Sequence, residues 1–71
     1  DLADKVKATR EKYLVGTIVE CINMGEETRP VPTGTRGVVT SVDDIGSIHV
    51  NWENGSSLAL IEEIDRFKVI K

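Results

Sequence analysis

Cysteine and histidine are almost absent from this sequence, which contains one of each, Cys21 and His49. A lone cysteine excludes an internal disulfide, and the pair does not supply the donor set of a zinc site. No stretch approaches the roughly 20 consecutive apolar residues that a membrane-spanning helix requires, and the first residues are charged rather than signal-like. We therefore expect a cytoplasmic protein without a bound cofactor or metal.

The chain is also short and poor in aromatic side chains, with 71 residues and one each of Trp, Tyr and Phe. At this length folding buries only about 60% of the surface that the unfolded chain exposes. We expect one compact domain over residues 1–71, without room for a large enclosed active site. The glycines precede no Gly-Lys-Ser/Thr motif, so they indicate turns rather than a phosphate loop. The prediction is that the domain is not an enzyme.

Basic residues are also fewer than acidic ones, because the chain has 9 Lys and Arg and 12 Asp and Glu, which gives a net charge of −3. Residues 1–13 carry four basic and three acidic side chains, net +1, whereas residues 14–71 carry five and nine, net −4. An acidic body opposes broad neutralisation of nucleic-acid phosphates and docking on an anionic membrane. The acidic pairs Glu26-Glu27 and Asp43-Asp44 instead suit a basic protein surface.

Hydrophobic periodicity predicts a helix over residues 1–13. Asp1 is the expected N-cap, and Gly16 is the expected C-cap because the residues after it are β-branched. The apolar side chains that share one helical face are Leu2, Val6 and Tyr13. Such a helix can pack on its own domain or against another subunit, and the sequence leaves both arrangements open.

The rest of the chain, residues 16–71, predicts a β-barrel. The expected strands are 17–22, 38–42, 47–52, 57–61 and 67–70. A long loop over 23–35 joins the first two strands, and Gly46 closes the next turn with a positive φ. Asn54-Gly55 predicts a type I′ hairpin turn before the fourth strand, and 62–66 a single helical turn. Five short strands joined by tight turns are typical of a small, strongly bent barrel.

Conspicuous side chains within these strands and turns have structural explanations. Trp52 continues the apolar face of its strand, and Cys21 suits a buried apolar position, so both are expected in the core. Asp43-Asp44 fits turn chemistry better than a cation loop, which needs several oxygen ligands in a defined order. A nucleophilic pair of Cys21 and His49 lacks an orienting third group.

Two runs of the sequence resemble a known family. They are Val-Pro-Thr-Gly-Thr-Arg-Gly-Val-Val at 31–39 and Val-Asp-Asp-Ile-Gly-Ser-Ile-His-Val-Asn-Trp-Glu-Asn-Gly-Ser-Ser-Leu at 42–58. From the helix to Asp65-Arg66-Phe67, the chain is similar to a domain-of-unknown-function family of small domains from Gram-positive bacteria, their phages and conjugative elements. More distantly, Gly-Thr-x-Gly-x-Val followed by Val-x-Trp-x-Asn-Gly is similar to Src-homology-3-like barrels. That similarity implies a mainly β, five-stranded Src-homology-3-like barrel that binds peptides, nucleic acid or other subunits.

These observations together favour a non-catalytic interaction module, an accessory or regulatory protein that binds a protein partner. Loops on a rigid scaffold carry function more often than the sheet does. The candidate partner-binding residues are Met24, Arg29, Val31, Asp44, Ile45, His49 and Asn51. One alternative is a Tudor-like barrel that binds nucleic acid through arginines converging in space. Another, implied by the resemblance to mobile-element domains, is an inhibitor of a host defence system.

Overall fold

The computed structural model describes all 71 residues and contains one helix and four strands. These are α1 (Leu2–Lys12), β1 (Ile18–Asn23), β2 (Arg36–Val42), β3 (Ile48–Trp52) and β4 (Arg66–Ile70). The strands form one antiparallel sheet in the order β3-β2-β1-β4. The expectation of a mainly β chain with a short leading helix is therefore confirmed. The only helix falls far short of the length and apolar character that crossing a bilayer demands.

The core lies on one face of the sheet because strand alternation sends every second side chain to the same side. β1 is paired on both sides, with Ile18 opposite Val38 of β2 and Ile70 of β4. The side chains with the least exposure are Val19, Cys21, Val39, Ile48, Trp52 and Leu60. The core positions predicted for Trp52 and Cys21 are thus confirmed.

Residues 57–61 do not form the fourth of the five expected strands. Within this segment only Leu60 pairs with the sheet, exchanging two main-chain hydrogen bonds of 2.8 Å with Ile48. The prediction of a type I′ turn at Asn54-Gly55 is also wrong. Such a turn needs a positive φ at both residues, and no residue other than glycine has one. The turn instead spans Trp52 to Gly55, whose N–H donates to the Trp52 carbonyl at 3.0 Å.

Side chains that bond the main chain locally explain this departure. Oδ1 of Asn54 accepts from the Ser56 N–H at 3.1 Å, and Oγ of Ser56 accepts from the Leu58 N–H at 3.2 Å. The indole of Trp52 donates to the Leu58 carbonyl at 2.8 Å. Short polar side chains offer the backbone an alternative to a strand ladder, and here they satisfy main-chain groups that a regular strand over 57–61 would use.

The helix begins and ends within one residue of the prediction. Asp1 is the N-cap, accepting from the Asp4 N–H at 3.0 Å, as expected. The C-cap is Tyr13 rather than Gly16. Gly16, at φ +94°, instead lies in a tight turn closed by a 3.0 Å bond from the Thr17 N–H to the Leu14 carbonyl. Glycine is favoured there because the third residue of this turn has a positive φ, as in a type II turn.

The helix packs on its own domain. Val6 and Tyr13 are buried, while Leu2, the third member of the predicted apolar face, is 55% exposed. The Tyr13 ring lies against Phe67 with centroids 5.3 Å apart. Nε of Arg10 donates to the carbonyl of Val42 at 3.1 Å, which ties the helix to the end of β2. Of the two arrangements that the sequence left open, the single chain has the intramolecular one.

Candidate interaction surfaces

Two of the predicted partner-binding residues lie in the core. Met24 is 6% exposed and Val31 is 2% exposed. The Val31 N–H points to Sδ of Met24 at 3.4 Å, and the Val31 carbonyl accepts from Sγ of Cys21 at 3.3 Å. The apolar side chains of the long loop therefore anchor it to the core. Met24 and Val31 thus expose little side-chain surface to a partner, and the expectation that they contact one stays a prediction.

Three other predicted residues lie at or beside the turn between β2 and β3. Ile45 is exposed, and the Asp44 carboxylate, also exposed, accepts from Nη2 of Arg10 on the helix at 3.0 Å. The half-exposed His49 follows at the start of β3. The residue that organises them is Asp43, which sequence reasoning assigned to turn chemistry alone.

The Asp43 carboxylate accepts hydrogen bonds from main-chain groups within this turn and contacts the His49 side chain after it. Its Oδ1 accepts from the N–H groups of Ile45 at 3.1 Å and Ser47 at 2.9 Å, while Oδ2 lies 2.9 Å from Nε2 of His49. The His49 hydrogen bond, followed by these main-chain bonds, lowers the pKa of Asp43. Gly46 closes the turn at φ +89°, as predicted. The carboxylate thus holds the loop that presents Asp44 and Ile45.

The remaining two predicted residues lie elsewhere. Asn51 is exposed on the outer face of β3, opposite Val38. Arg29 is exposed in the long loop and takes part in no ion pair. The structure therefore divides the predicted set between the core, the β2–β3 turn, the sheet face and the long loop.

Cys21 and His49 do not form a nucleophilic pair. Cys21 points into the core with its thiol bonded to the Val31 carbonyl, and burial raises its pKa. His49 lies on the other face and binds Asp43. No three His, Cys, Asp or Glu side chains are grouped as metal ligands would be.

A concave site that sequence reasoning missed lies between the long loop and the turn that precedes β4. The single helical turn predicted over 62–66 lies one residue earlier, because the Asp65 N–H donates to the Ile61 carbonyl at 2.8 Å and Arg66 already begins β4. The Asp65 carboxylate joins the two segments, because it accepts from the Gly25 N–H at 3.2 Å and from the Ile61 N–H at 2.8 Å. A methyl group on Gly25 would lie 2.9 Å from the Ile64 carbonyl oxygen, so this close approach requires glycine.

The concavity, which we call the acidic pocket, has a volume of about 230 Å³. Ile61 and Ile64, which are 41% and 38% exposed, contribute to its apolar part. Its lining residues are Met24, Glu26, Glu27, Ala59, Ile61, Ile64 and Asp65. The acidic loop was visible in the sequence, but nothing in the local pattern indicated that Ile61 and Ile64 would lie beside it.

The comparisons with known proteins place the chain in a family. Residues 2–70 match the family described as Domain of unknown function (DUF4314). The chain belongs to the DUF4314 family. This confirms the resemblance to a domain-of-unknown-function family over nearly the whole DUF4314 chain. No curated protein and no solved structure matches it.

Most cations of this DUF4314 domain are already paired with its own carboxylates. Five of the nine basic side chains form ion pairs, and the helix contributes three of them. The basic residues in these pairs are Lys5, Arg10, Lys12, Arg36 and Lys68. Glu20 lies between Arg36 on β2 and Lys68 on β4, and the hydrogen bond from Arg36 is the main cause of its lowered pKa. Glu26 and Glu27 are in none of the ion pairs.

Proposed function

We propose that this DUF4314 chain is a non-catalytic protein-interaction module built on a Src-homology-3-like barrel. The strand order supports the barrel interpretation. β1, β2 and β3 are adjacent in chain order, Leu60 pairs with the free edge of β3, and a single helical turn leads to β4, which returns to β1. This is the order expected of a five-stranded barrel in which the fourth strand is reduced to one residue pair.

The acidic pocket is the observation that carries the proposed function. Apolar side chains in a surface concavity are typical of interaction sites, and the free carboxylates beside them favour a positively charged partner. An enzyme is less well supported. The acidic pocket lies below the range of roughly 300–1,000 Å³ that is usual for small-molecule sites, and the larger concavity of about 410 Å³ beside Asn51 and Trp52 contains no histidine or cysteine. Burial also opposes the thiolate form of Cys21 that nucleophilic attack would need.

Nucleic acid is the less favoured partner because only four basic side chains are free of ion pairs. These are Lys7, Arg29, Arg66 and Lys71. Binding to phosphates depends on the number of cations that replace condensed counterions. A role against a host defence system is one version of the protein-partner proposal, and its support is the resemblance to mobile-element domains alone.

The experiment is a tagged pull-down from a Gram-positive lysate, run with and without nuclease, followed by rebinding of the purified partner. We expect one dominant protein that survives nuclease and rebinds the isolated domain. Recovery that collapses with nuclease would transfer the function to nucleic-acid binding. Recovery of no protein under either condition would overturn the proposal.

A further inference from the structure

The acidic pocket combines partly exposed apolar side chains with carboxylates that form no ion pair. Ile61 and Ile64 stay partly exposed in a concavity, although burying them would be favourable. Glu26 and Glu27 stand beside them without an ion pair, although the domain pairs five of its cations elsewhere. A ligand that covers the isoleucine side chains and also pairs with the glutamates must carry both an aliphatic part and a positive charge.

The walls of the pocket are held in place in the free domain. Asp65 accepts one hydrogen bond from each wall, through the N–H groups of Gly25 and Ile61. Met24, immediately before Gly25, is anchored in the core, which fixes the base of the loop. A site with fixed walls loses little conformational entropy when it is filled, so even a small ligand can bind with measurable affinity.

The size of the pocket suits one side chain. A volume of about 230 Å³ corresponds to several water molecules at roughly 30 Å³ each. Lys and Arg have long aliphatic stems that cover apolar surface while the charged end stays at the polar rim. Arg also matches carboxylates with two parallel hydrogen bonds.

We infer that the acidic pocket binds an arginine or lysine side chain presented by the protein partner. The stem lies on Ile61 and Ile64, and the charged end pairs with Glu26 and Glu27. This inference rests on the proposed function and specifies it, because it names the chemistry that the partner must carry. It also extends the basic partner expected for Glu26-Glu27 to a second segment, the turn before β4, which was not among the predicted residues.

The test is an NMR titration of the ¹⁵N-labelled full chain with two blocked tripeptides, acetyl-Leu-Arg-Leu-amide and acetyl-Leu-citrulline-Leu-amide. Citrulline has nearly the shape of arginine but no charge. We expect saturable shifts of the Gly25, Ile61 and Ile64 amide signals with the arginine peptide, and about tenfold weaker binding of the citrulline peptide. Equal shifts with both peptides, or shifts only elsewhere in the domain, would overturn the inference.

Two variants with the same change in net charge test whether the arginine peptide binds at the acidic pocket. Glu26→Gln/Glu27→Gln should weaken binding of the arginine peptide about tenfold and leave the affinity for the citrulline peptide unchanged. Asp4→Asn/Glu11→Gln removes two exposed carboxylates of the helix and should leave both peptides unchanged. If the two variants weaken arginine binding equally, the attraction is that of the whole acidic domain and the pocket is not the site.

The pull-down separates this inference from the proposed function. Loss of the partner with Glu26→Gln/Glu27→Gln, but not with Asp4→Asn/Glu11→Gln, supports both. Full recovery of the partner with both variants overturns the pocket and leaves the interaction module standing. If the wild-type domain recovers no protein, the proposed function fails whatever the tripeptides do.

Discussion

The indole Nε1 of Trp52 donates a hydrogen bond to the main-chain oxygen of Leu58 at 2.8 Å. This bond crosses the segment in which a regular fourth strand was expected. It gives the Leu58 carbonyl a partner where the sheet supplies none, because only Leu60 pairs with β3. Trp52 thus serves both as a core side chain, 2% exposed, and as a support for an irregular connection.

Replacing Trp52 with Phe separates these two roles. Trp52→Phe keeps an aromatic ring in the core but leaves the Leu58 carbonyl without its donor. An unpaired, partly buried carbonyl costs about 1–3 kcal/mol, and we expect that loss in urea unfolding followed by circular dichroism. Trp52→Ala should cost more, roughly 3–5 kcal/mol, because it also opens a cavity. Unchanged stability in Trp52→Phe would show that the hydrogen bond contributes nothing.

Gly37 on β2 makes a second test of packing around the indole. A methyl group there would lie 2.5 Å from Cγ1 of Val50, 2.9 Å from the Asn51 carbonyl oxygen and 2.9 Å from Cε3 of Trp52. Because one of these atoms belongs to the backbone, relief needs a shift of β3 itself. We expect Gly37→Ala to lower the free energy of unfolding by about 1–3 kcal/mol.

The control for Gly37→Ala is Val38→Ala, the next position of the same strand. Val38 is exposed on the outer face, so its truncation should cost less than about 1 kcal/mol. The measurement is the urea concentration at the midpoint of unfolding for each variant, with the same dependence of the unfolding free energy on urea concentration applied to both. A Gly37→Ala variant as stable as Val38→Ala would mean that β3 moves away from β2 at little cost.

Strands could be predicted from the sequence where the local residue pattern favoured a strand and no side chain offered the backbone other hydrogen bonds. Alternation of β-branched and polar residues located β1 and β3 within one residue of their observed starts. The Asn54-Gly55 signal failed because three side chains, Trp52, Asn54 and Ser56, satisfy the following backbone in another way. Which set of hydrogen bonds is preferred depends on where the indole lies, and that is a property of the whole fold.

The candidate site was harder to predict for a similar reason. An apolar residue in a polar loop fits either a partner contact or a core anchor, and Met24 and Val31 are anchors. The acidic pocket depends on Asp65 joining Gly25 and Ile61, a contact between segments far apart in the chain. Local patterns do not encode such a contact, whereas the turn chemistry of Asp43 is local and was predicted.

The single tyrosine allows the contact between helix and body to be measured by titration. Tyr13 OH donates to Oε2 of Glu62 at 3.0 Å, and that oxygen also binds Nζ of Lys12 at 2.7 Å. Burial, and then the bond to Glu62, raise the pKa of Tyr13 above its usual value of 10.0, while Lys12 lowers it. The phenolate absorbance should therefore titrate at higher pH than in the urea-unfolded chain. In Glu62→Gln the midpoint should fall toward 10.0, and in Lys12→Gln it should rise.

The sign of the shift fixes its effect on stability. Because the folded pKa of Tyr13 is raised, its contribution is fully present below the unfolded value of about 10 and is lost as pH rises through the folded value. Hydrogen bonding to Lys12 lowers the pKa of Glu62, so its contribution is present above about pH 4.3 and is lost as pH falls through its folded value. Glu26→Gln is the control, and equal midpoints of Tyr13 in all variants would contradict the role of Glu62.

Val6 and Leu2 test whether the helix contributes to the stability of the domain. Both are apolar and lie on the same helix, but Val6 is 3% exposed and Leu2 is 55% exposed. Val6→Ala should lower the free energy of unfolding by about 1–3 kcal/mol, because it removes buried methyl groups. Leu2→Ala should change it by no more than about 0.5 kcal/mol. Thermal unfolding at two protein concentrations checks both values. If the helix also joined two chains in solution, the loss in Val6→Ala would depend on concentration, whereas packing on its own domain predicts the same loss at both.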